Sequence, residues 1–202
     1  MSGKAAVVRP IDAAGLVLLR KSQSGLEVLL GRRHSKAGFL PDIYVFPGGR
    51  LEPGDNEGPP LGLSPDVAAR LARATRRPPE AFLRAALRET LEETGLALAP
   101  GAIGGVDFIC RAITPTYSRR RFNTRFLLAD GIHAAGRLAG DGELEDLGWR
   151  AVEALDGLPM VDVTAFVLGE AIARRSRRLA PGAEPAIVYS YVGDNVRLTR
   201  RA

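Results

Sequence analysis

The chain has 202 residues, a length that fits one domain carrying extra helices or an insertion. Its hydrophobic content of 46% is enough for a sizeable core, and its net charge of +5 suits a partner that is an anionic small molecule or a nucleic acid. One cysteine excludes an internal disulfide, and no apolar run approaches the length of a transmembrane helix.

The first elements predicted along the chain are three short strands. Residues 13–19 and 27–30 are apolar and are separated by a polar stretch at 21–25 with glycine and serine, a pattern typical of a β-hairpin. Residues 43–46 predict a third strand, which Pro47-Gly48-Gly49 ends.

Residues 50–79 differ in composition from the sequence on either side, because they are rich in proline and glycine. Within them, Pro65 to Arg73 predicts a short helix with Ser64 as its N-cap. We interpret the whole stretch, about 50–79, as an insertion.

A longer helix is predicted from Pro79 to about Thr94, and Gly95 is a suitable C-cap. Its apolar stripe is predicted to consist of Phe82, Leu83, Ala86, Leu87 and Leu91.

The remaining chain mixes strands and helices without strict alternation. Strands are predicted at 105–112 and 121–128, before Trp149 and at 187–191, and helices at 152–155 and 164–178. Cys110 has apolar neighbours and is interpreted as a buried strand thiol. The pattern favours an α/β fold, a mixed sheet flanked by helices.

Three carboxylates in the longer helix indicate a binding site for a cation. Glu89, Glu92 and Glu93 follow an i, i+3, i+4 spacing, so they share one helix face and repel one another. A hard divalent cation such as Mg²⁺ prefers carboxylate oxygens and shares its remaining positions with water and phosphates. The alternative is a solvated surface, in which Arg88 and Glu92 form an ordinary i,i+4 ion pair.

These residues resemble the signature box of the Nudix hydrolases. Its second half matches Arg88-Glu89, Glu92-Glu93 and Gly95-Leu96, with Thr90 in a slot that is usually aliphatic. Its first half matches Gly49 followed after five residues by Asp55, so the insertion splits the box. Glu80 stands eight residues before Arg88 and is a second candidate for the acidic slot that Asp55 would fill.

The split box resembles a branch that includes the peroxisomal coenzyme A diphosphatases. That branch has an upstream coenzyme A motif, of which the leucine pair Leu29-Leu30 and Arg33 are present at the matching distance from Phe46-Pro47-Gly48-Gly49. The motif's other positions depart from the pattern: Gly31, His34, Gly38 and Asp42 stand where it has threonine, serine, arginine and glycine. Coenzyme A is therefore a candidate substrate.

The resemblance implies a Nudix fold, an α/β/α sandwich with a mixed sheet and the box carboxylates on one helix. We expect a single domain over 1–202, with the insertion at about 50–79 and an extra C-terminal helix and tail at about 160–202. The implied activity is hydrolysis of the diphosphate in a nucleoside diphosphate linked to another moiety, with coenzyme A or acyl-coenzyme A as candidates. The alternative is a non-catalytic nucleotide-binding module, but such modules typically lose box carboxylates.

The resemblance also assigns roles to residues. Glu89, Glu92 and Glu93 would hold Mg²⁺ or Mn²⁺, Arg88 would orient a carboxylate, and the carbonyl of Gly48 or Gly49 would complete the coordination. Glu92 and Glu93, with Arg88, form the expected catalytic group. A later acidic residue often serves as base or ligand in this family, and Glu143 is our first choice within the run that starts at Asp141, with Glu145 second; the alternative is an acidic surface turn.

Arginines are the candidate phosphate ligands. Arg33, Arg121 and Arg125 could bind phosphates bidentately, and the last two are expected to share a strand face, alternating with Phe122 and Phe126. Exposed strand arginines are the alternative. Tyr117 lies in a predicted loop and could stack on a base.

The expected partner is a nucleotide-type diphosphate of small size. Nucleic acid is disfavoured, because only residues 119–126 combine basic and aromatic side chains. The first ten residues lack an apolar signal core, so a cytoplasmic protein without a membrane partner is expected. Dimers are frequent among Nudix proteins, and the resemblance therefore allows a homodimer.

Overall fold

The structure, a computed structural model, describes residues 8–140 and 142–201. In this part of the chain the strands are β1 (Ile11–Ser22), β2 (Gly25–Arg33), β3 (Tyr44–Val45), β4 (Gly48–Arg50), β5 (Leu96–Leu98), β6 (Asp107–Ile113), β7 (Phe122–Asp130), β8 (Ala134–Gly136), β9 (Leu144–Ala151), β10 (Ala186–Val192) and β11 (Asn195–Arg201). The helices are α1 (Pro65–Leu71), α2 (Pro79–Thr94) and α3 (Asp162–Arg177).

The main sheet is mixed, as predicted. Its order is β11-β10-β6-β7-β1-β2-β3, with β4 also paired to β1 and β9 also paired to β2. β1 runs parallel to β7 and β10 runs parallel to β6, whereas the other pairs in this sheet are antiparallel. A separate ribbon joins β5 to β8.

The predicted hairpin is confirmed. β1 and β2 pair antiparallel from Leu19↔Val28 to Ser22↔Gly25, which leaves a two-residue turn. Residues 16–19 of β1 are all fully buried. A strand covered on both faces needs this continuous apolar run, and an alternating pattern would not supply it.

Helices cover both faces of the sheet and give two apolar cores. One core contains side chains of α1 and α2, such as Val67 and Phe82, packed on Leu16 of β1. The other contains Val167 and Leu168 of α3 with Val17 of β1. This is the α/β/α sandwich that the resemblance implied.

The insertion is folded onto the first core. Ser64 accepts a hydrogen bond from the Val67 backbone N–H at 3.4 Å and caps α1, as predicted. Val67 and Leu71 are fully buried against α2. The stretch between the two halves of the box therefore contributes to the core.

The predicted apolar stripe on α2 is wrong for one residue. Leu91 is 51% exposed, whereas Thr90 and Thr94 are buried. The two threonines are tolerated because their hydroxyls donate to the carbonyls of Ala86 and Thr90, at 2.6 and 2.5 Å. The helix begins at Pro79 and ends at Gly95, which has a φ of 71°.

The structure adds a strand that the sequence pattern did not predict. β11 pairs antiparallel with β10 at the edge of the sheet, and its apolar residues Val196 and Leu198 are exposed. Cys110 is fully buried in β6, as predicted, and burial raises the pKa of its thiol to about 12. Within the described residues, no helix is long and apolar enough to span a membrane.

Candidate active site

Two glycines let the sheet approach the carboxylate face of α2. The Gly48 backbone N–H donates to Glu93 Oε2 at 2.8 Å. A Cβ on Gly49 would lie 2.7 Å from Glu89 Oε2 and still closer to the Cδ of that carboxylate. Glycine is therefore required at Gly49 if Glu89 is to keep its position beside β4.

Glu93 is the most deeply buried of the three carboxylates, with 3% of its surface exposed. Burial raises its pKa to about 8, and the negative charges of Glu89 and Glu143 act in the same direction. The Gly48 N–H and the Arg33 charge oppose the shift. A positive charge beside Glu93 would favour its ionised form at neutral pH.

Glu89 and Glu92 are in less buried settings. The Glu89 side chain is 15% exposed and burial raises its pKa, with Arg88 opposing the shift. The Glu92 side chain is 52% exposed. The exposure of the three carboxylates thus increases from Glu93 to Glu89 to Glu92.

Arg88 connects the acidic residues of the site through hydrogen bonds. Its Nη1 donates to Glu89 Oε1 at 2.9 Å and to Glu92 Oε2 at 3.1 Å. Its Nη2 donates to Asp55 Oδ2 and to the carbonyl of Arg50, both at 3.1 Å. Hydrogen bonds to Asp55 and Glu89 raise the pKa of Arg88, although burial acts to lower it. These contacts suit an orienting residue.

Asp55, rather than Glu80, is the acidic residue in contact with Arg88. It is 5% exposed and also accepts the Glu52 backbone N–H at 2.7 Å. Asp55, from the first half of the split box, is therefore in contact with Arg88 of the second half.

The residues fit a hard divalent cation in their chemistry. All the donors are oxygens, burial raises the pKa of Glu89 and Glu93, and Gly49 keeps the space beside Glu89 free of a side chain. The side chains do not converge, however: no group of three His, Cys, Asp or Glu residues in the described ranges is arranged as a ready metal site. Arg88 engages only Oε1 of Glu89 and Oε2 of Glu92, so a cation would bind the other oxygen of each carboxylate.

A pocket of about 760 Å³ opens beside the carboxylates, and we call it the long pocket. One part is lined by charged residues that include Glu89, Glu93, Glu143 and Arg33. Aromatic side chains line it as well, namely Phe39, Phe46, Tyr117, Phe122, Phe126, Tyr189 and Tyr191. Its size and mixed lining suit a small molecule with both anionic and aromatic parts.

Two of the site residues that were predicted outside α2 line the long pocket. Arg33 lines it, and its buried Nε has no hydrogen-bond partner within the described part of the chain. Glu143 lines it too, whereas Glu145 pairs with Arg32 at 2.7 Å and with His34 at 3.4 Å. Asp141, the first residue of this acidic run, lies outside the described residues.

Arg121 lies just before β7 and Arg125 lies within it; both are buried, and neither lines the long pocket. Arg121 donates to the carbonyls of Thr114 and Val8, at 3.1 and 2.7 Å. Arg125 is fully buried over the ring of Phe82, on the α2 side of the sheet. The phenylalanines that alternate with them face the pocket instead, so we leave both arginines out of the proposed substrate site.

Other residues of the pocket were not singled out from the sequence. Arg120 lines the pocket where its neighbour Arg121 had been expected. Tyr191 donates its hydroxyl to Asp162, at the start of α3, with 2.9 Å to each carboxylate oxygen. Burial and Asp162 raise the pKa of this tyrosine to about 12. The two residues are 29 positions apart, and no spacing rule connects them.

Comparison with known sequences finds a relative that matches part of the chain. No family model matches the sequence. An acyl-coenzyme A diphosphatase from Gallus gallus is 36% identical over 100 residues, a stretch that is 37% of this chain and 26% of that protein. The match thus spans about a quarter of the curated relative's length.

Solved structures match over most of the chain. A Nudix hydrolase from Alicyclobacillus acidocaldarius has a TM-score of 0.65 and 25% identity, and the match covers 87% of this chain and 99% of that one. A C. elegans Ap4A hydrolase has a TM-score of 0.54 and 18% identity, over 83% of this chain and 98% of that one. With the carboxylate helix and the split box, these likenesses show that the chain has the Nudix fold and resembles the Nudix hydrolases, among them the coenzyme A diphosphatases.

Proposed function

We propose that this protein hydrolyses a diphosphate linkage in a nucleoside diphosphate joined to another moiety, with Mg²⁺ or Mn²⁺ as cofactor. Coenzyme A or an acyl-coenzyme A is the substrate that we favour. The observation that carries the proposal is the placement of Glu89 and Glu93 against Gly48 and Gly49, at the side of a pocket large enough for such a molecule.

The proposed roles follow from position. Glu89, Glu92 and Glu93 would hold the cation, with the Gly49 carbonyl as an additional oxygen donor. A bound divalent cation would neutralise phosphate charge and lower the pKa of water. Arg88 fixes the orientation of Glu89 through its hydrogen bond and carries no chemistry of its own.

Glu143 is the proposed general base. It lines the long pocket, and its charge acts on both Glu89 and Glu93. A carboxylate in that position can accept the proton of a water that attacks a phosphorus atom. Arg33 lies close enough to Glu93 to oppose the rise in its pKa, and we assign it to the substrate's diphosphate oxygens.

Two observations support coenzyme A within this substrate class. The curated relative from Gallus gallus is an acyl-coenzyme A diphosphatase, although the match spans a quarter of its length. Asp42, which replaces a glycine of the upstream motif, has a φ of 58°. The backbone there keeps a conformation that glycine adopts easily and that aspartate tolerates. Aspartate at this position is therefore compatible with a backbone conformation that glycine would also adopt.

A hydrolysis screen tests the proposal. The wild-type protein would be incubated with Mg²⁺ and with coenzyme A, an acyl-coenzyme A, ADP-ribose, NADH, diadenosine polyphosphates and nucleoside triphosphates in turn. We expect cleavage at the diphosphate of coenzyme A compounds, loss of activity in EDTA, and ¹⁸O from labelled water in one phosphate product. Cleavage of ADP-ribose alone would refute the coenzyme A assignment. Tight nucleotide binding without turnover of any compound would favour a non-catalytic module.

A further inference from the structure

The long pocket extends across several strands of the sheet, away from the carboxylates of α2. Its Gly48 and Gly49 belong to β4, whereas its Tyr189 and Tyr191 belong to β10. β1, β7 and β6 lie between these two strands. At the usual spacing of neighbouring strands, the steps from β4 to β10 put the two ends of the pocket about 19 Å apart. A substrate whose diphosphate lies at the carboxylates can therefore place another of its groups beside β10.

Tyrosines are concentrated at the β10 end of the long pocket. Three of the chain's four tyrosines line the pocket, namely Tyr117, Tyr189 and Tyr191, and we call this part the tyrosine end. The rings of Tyr189 and Tyr191 are in edge contact, with 5.6 Å between their centroids. Burial and Asp162 raise the pKa of Tyr191, and Tyr117 is close enough to add to the rise. Tyr117 is 66% exposed, so its ring is available to a ligand.

Asp162 is the carboxylate beside these rings, and it is an exposed residue of the pocket lining. Its Oδ1 accepts the Val163 backbone N–H at 2.7 Å and the Tyr191 hydroxyl at 2.9 Å. The same hydroxyl lies 2.9 Å from Oδ2. A carboxylate has about four acceptor sites over its two oxygens. Oδ1 is therefore filled by the protein, and Oδ2 is the oxygen that can accept a donor from a ligand.

We propose that the tyrosine end binds the nucleobase of the substrate and that this base is adenine, stacked on Tyr117, with its exocyclic amino group donating to Oδ2 of Asp162. Stacking on aromatic side chains is favourable for every base, and a hydrogen bond to a carboxylate is stronger than one between neutral groups. The assignment deepens the proposed function, because it rests on a nucleotide as the substrate in this pocket.

The hydrogen bonds of Asp162 decide between the bases. Guanine presents two neighbouring N–H donors, which need both oxygens of a carboxylate, and Oδ1 already accepts two donors from the protein. Adenine and cytosine each present one amino group and need a single acceptor. Of these two, adenine has the larger ring system and covers more of the tyrosine surface, so we assign adenine.

Binding of nucleoside monophosphates to the full chain in EDTA tests the assignment without requiring turnover. AMP and IMP share ribose and phosphate and differ at position 6 of the purine, where AMP has an amino donor and IMP a carbonyl acceptor. A carbonyl oxygen is repelled by Asp162, so we expect calorimetric titration to show binding of AMP at least about tenfold tighter than of IMP. GMP and CMP should also bind more weakly than AMP. Equal affinities for AMP and IMP, or tighter binding of GMP or CMP, would overturn the assignment.

Asp162→Asn should reverse this preference. The asparagine oxygen would keep the Val163 N–H and the Tyr191 hydroxyl, so the amide nitrogen would face the ligand as a donor. We expect the affinity for AMP to fall at least about tenfold and the affinity for IMP to rise. Asp156→Asn, at an exposed aspartate that does not line the pocket, is the matched control and should keep the wild-type preference. An Asp162→Asn variant that still prefers AMP would contradict the proposal.

Two variants of Tyr117 test the stacking. Tyr117→Phe keeps the ring and should bind AMP as the wild type does, whereas Tyr117→Ala should bind it at least about fivefold more weakly. Equal binding by the two variants would contradict a stacking role for Tyr117.

The base assignment and the proposed hydrolysis fail in different ways. Selective binding of AMP that Asp162→Asn reverses, without cleavage of any diphosphate, would support the base site and refute only the hydrolysis. Hydrolysis by a protein that does not distinguish AMP from IMP would refute only the base site.

Discussion

Neighbouring residues on α2 meet different surroundings, and this difference decides their chemistry. Glu93 faces the Gly48 N–H and is nearly removed from solvent, whereas Glu92 is half exposed and pairs with Arg88. Glu93 is therefore the carboxylate that a cation would stabilise most, since its ionised form is disfavoured in the protein alone.

Glu93→Gln should change how stability depends on pH. The pKa of Glu93 is raised from 4.5 to about 8 in the folded protein, so the stability contributed by protonated Glu93 is fully present below about pH 4.5 and is lost as the pH rises from there to about 8. In EDTA we expect the variant to be close to the wild type at pH 4 and to exceed it by about 2–4 kcal/mol at pH 8.5. Urea unfolding at the two pH values measures this. Equal pH dependence of the two proteins would refute the burial argument.

Arg88→Gln tests the orienting role. The substitution leaves Asp55 buried without its cation and frees Glu89, so we expect kcat to fall about 10–100-fold and the Mg²⁺ concentration for half-maximal rate to rise. Asp55→Asn keeps an acceptor for Arg88 and should have a smaller effect. A loss of stability with an unchanged Mg²⁺ requirement would show that Arg88 is only structural.

At the scale of elements, the site exists because β4 and α2 are in close contact. Gly48 and Gly49 of β4 pair with β1 and leave no side chains between the sheet and the helix carboxylates. The backbone of one element therefore sets the position of functional groups on another.

Gly49→Ala should separate activity from stability. The new Cβ would displace Glu89, whose side chain can move, so we expect activity to fall about 100-fold while the free energy of unfolding changes by about 1 kcal/mol or less. Gly54→Ala is the matched control, because a Cβ there has no atom within 4 Å. Wild-type activity in Gly49→Ala would contradict the proposed position of Glu89.

Local patterns predicted the elements well where local physics decides them. The hairpin, the Ser64 cap and the Pro79 start of α2 follow from turn and capping chemistry, and the structure confirms them. The features that were not predicted depend on long-range packing. Thr90 is buried in the core whereas Leu91 is exposed, and β11 is a strand because it pairs with β10. Which side of β7 faces the long pocket depends on how the whole sheet is assembled, so the alternation of arginine and phenylalanine did not show that the phenylalanines would face it.

At the scale of the molecule, the insertion packs against the first core beside the long pocket. Near the start of the insertion, Asp55 accepts a hydrogen bond from Arg88, and further along the insertion α1 packs against α2. Residues 53–79 do not line the long pocket. The insertion therefore lengthens the chain between the two halves of the box, and Asp55 of one half still contacts Arg88 of the other.

Leu71→Ala tests this separation. Leu71 is fully buried, so we expect a loss of about 2–5 kcal/mol in unfolding free energy, with kcat of the folded protein unchanged. Leu198→Ala, at an exposed leucine of β11, should cost little and is the control. A fall in kcat without a fall in stability would indicate that the insertion acts on the site directly.

We propose that the buried helix carboxylates serve metal-dependent diphosphate hydrolysis. The most direct test of this proposal is the Mg²⁺-dependent rate of coenzyme A cleavage in wild type, Glu93→Gln and Glu57→Gln, the last an exposed glutamate of the insertion. We expect Glu93→Gln to lose at least about a hundredfold in kcat while its circular dichroism spectrum stays that of the wild type, and Glu57→Gln to retain the wild-type rate. Turnover by Glu93→Gln at the wild-type rate and Mg²⁺ requirement would contradict the proposal.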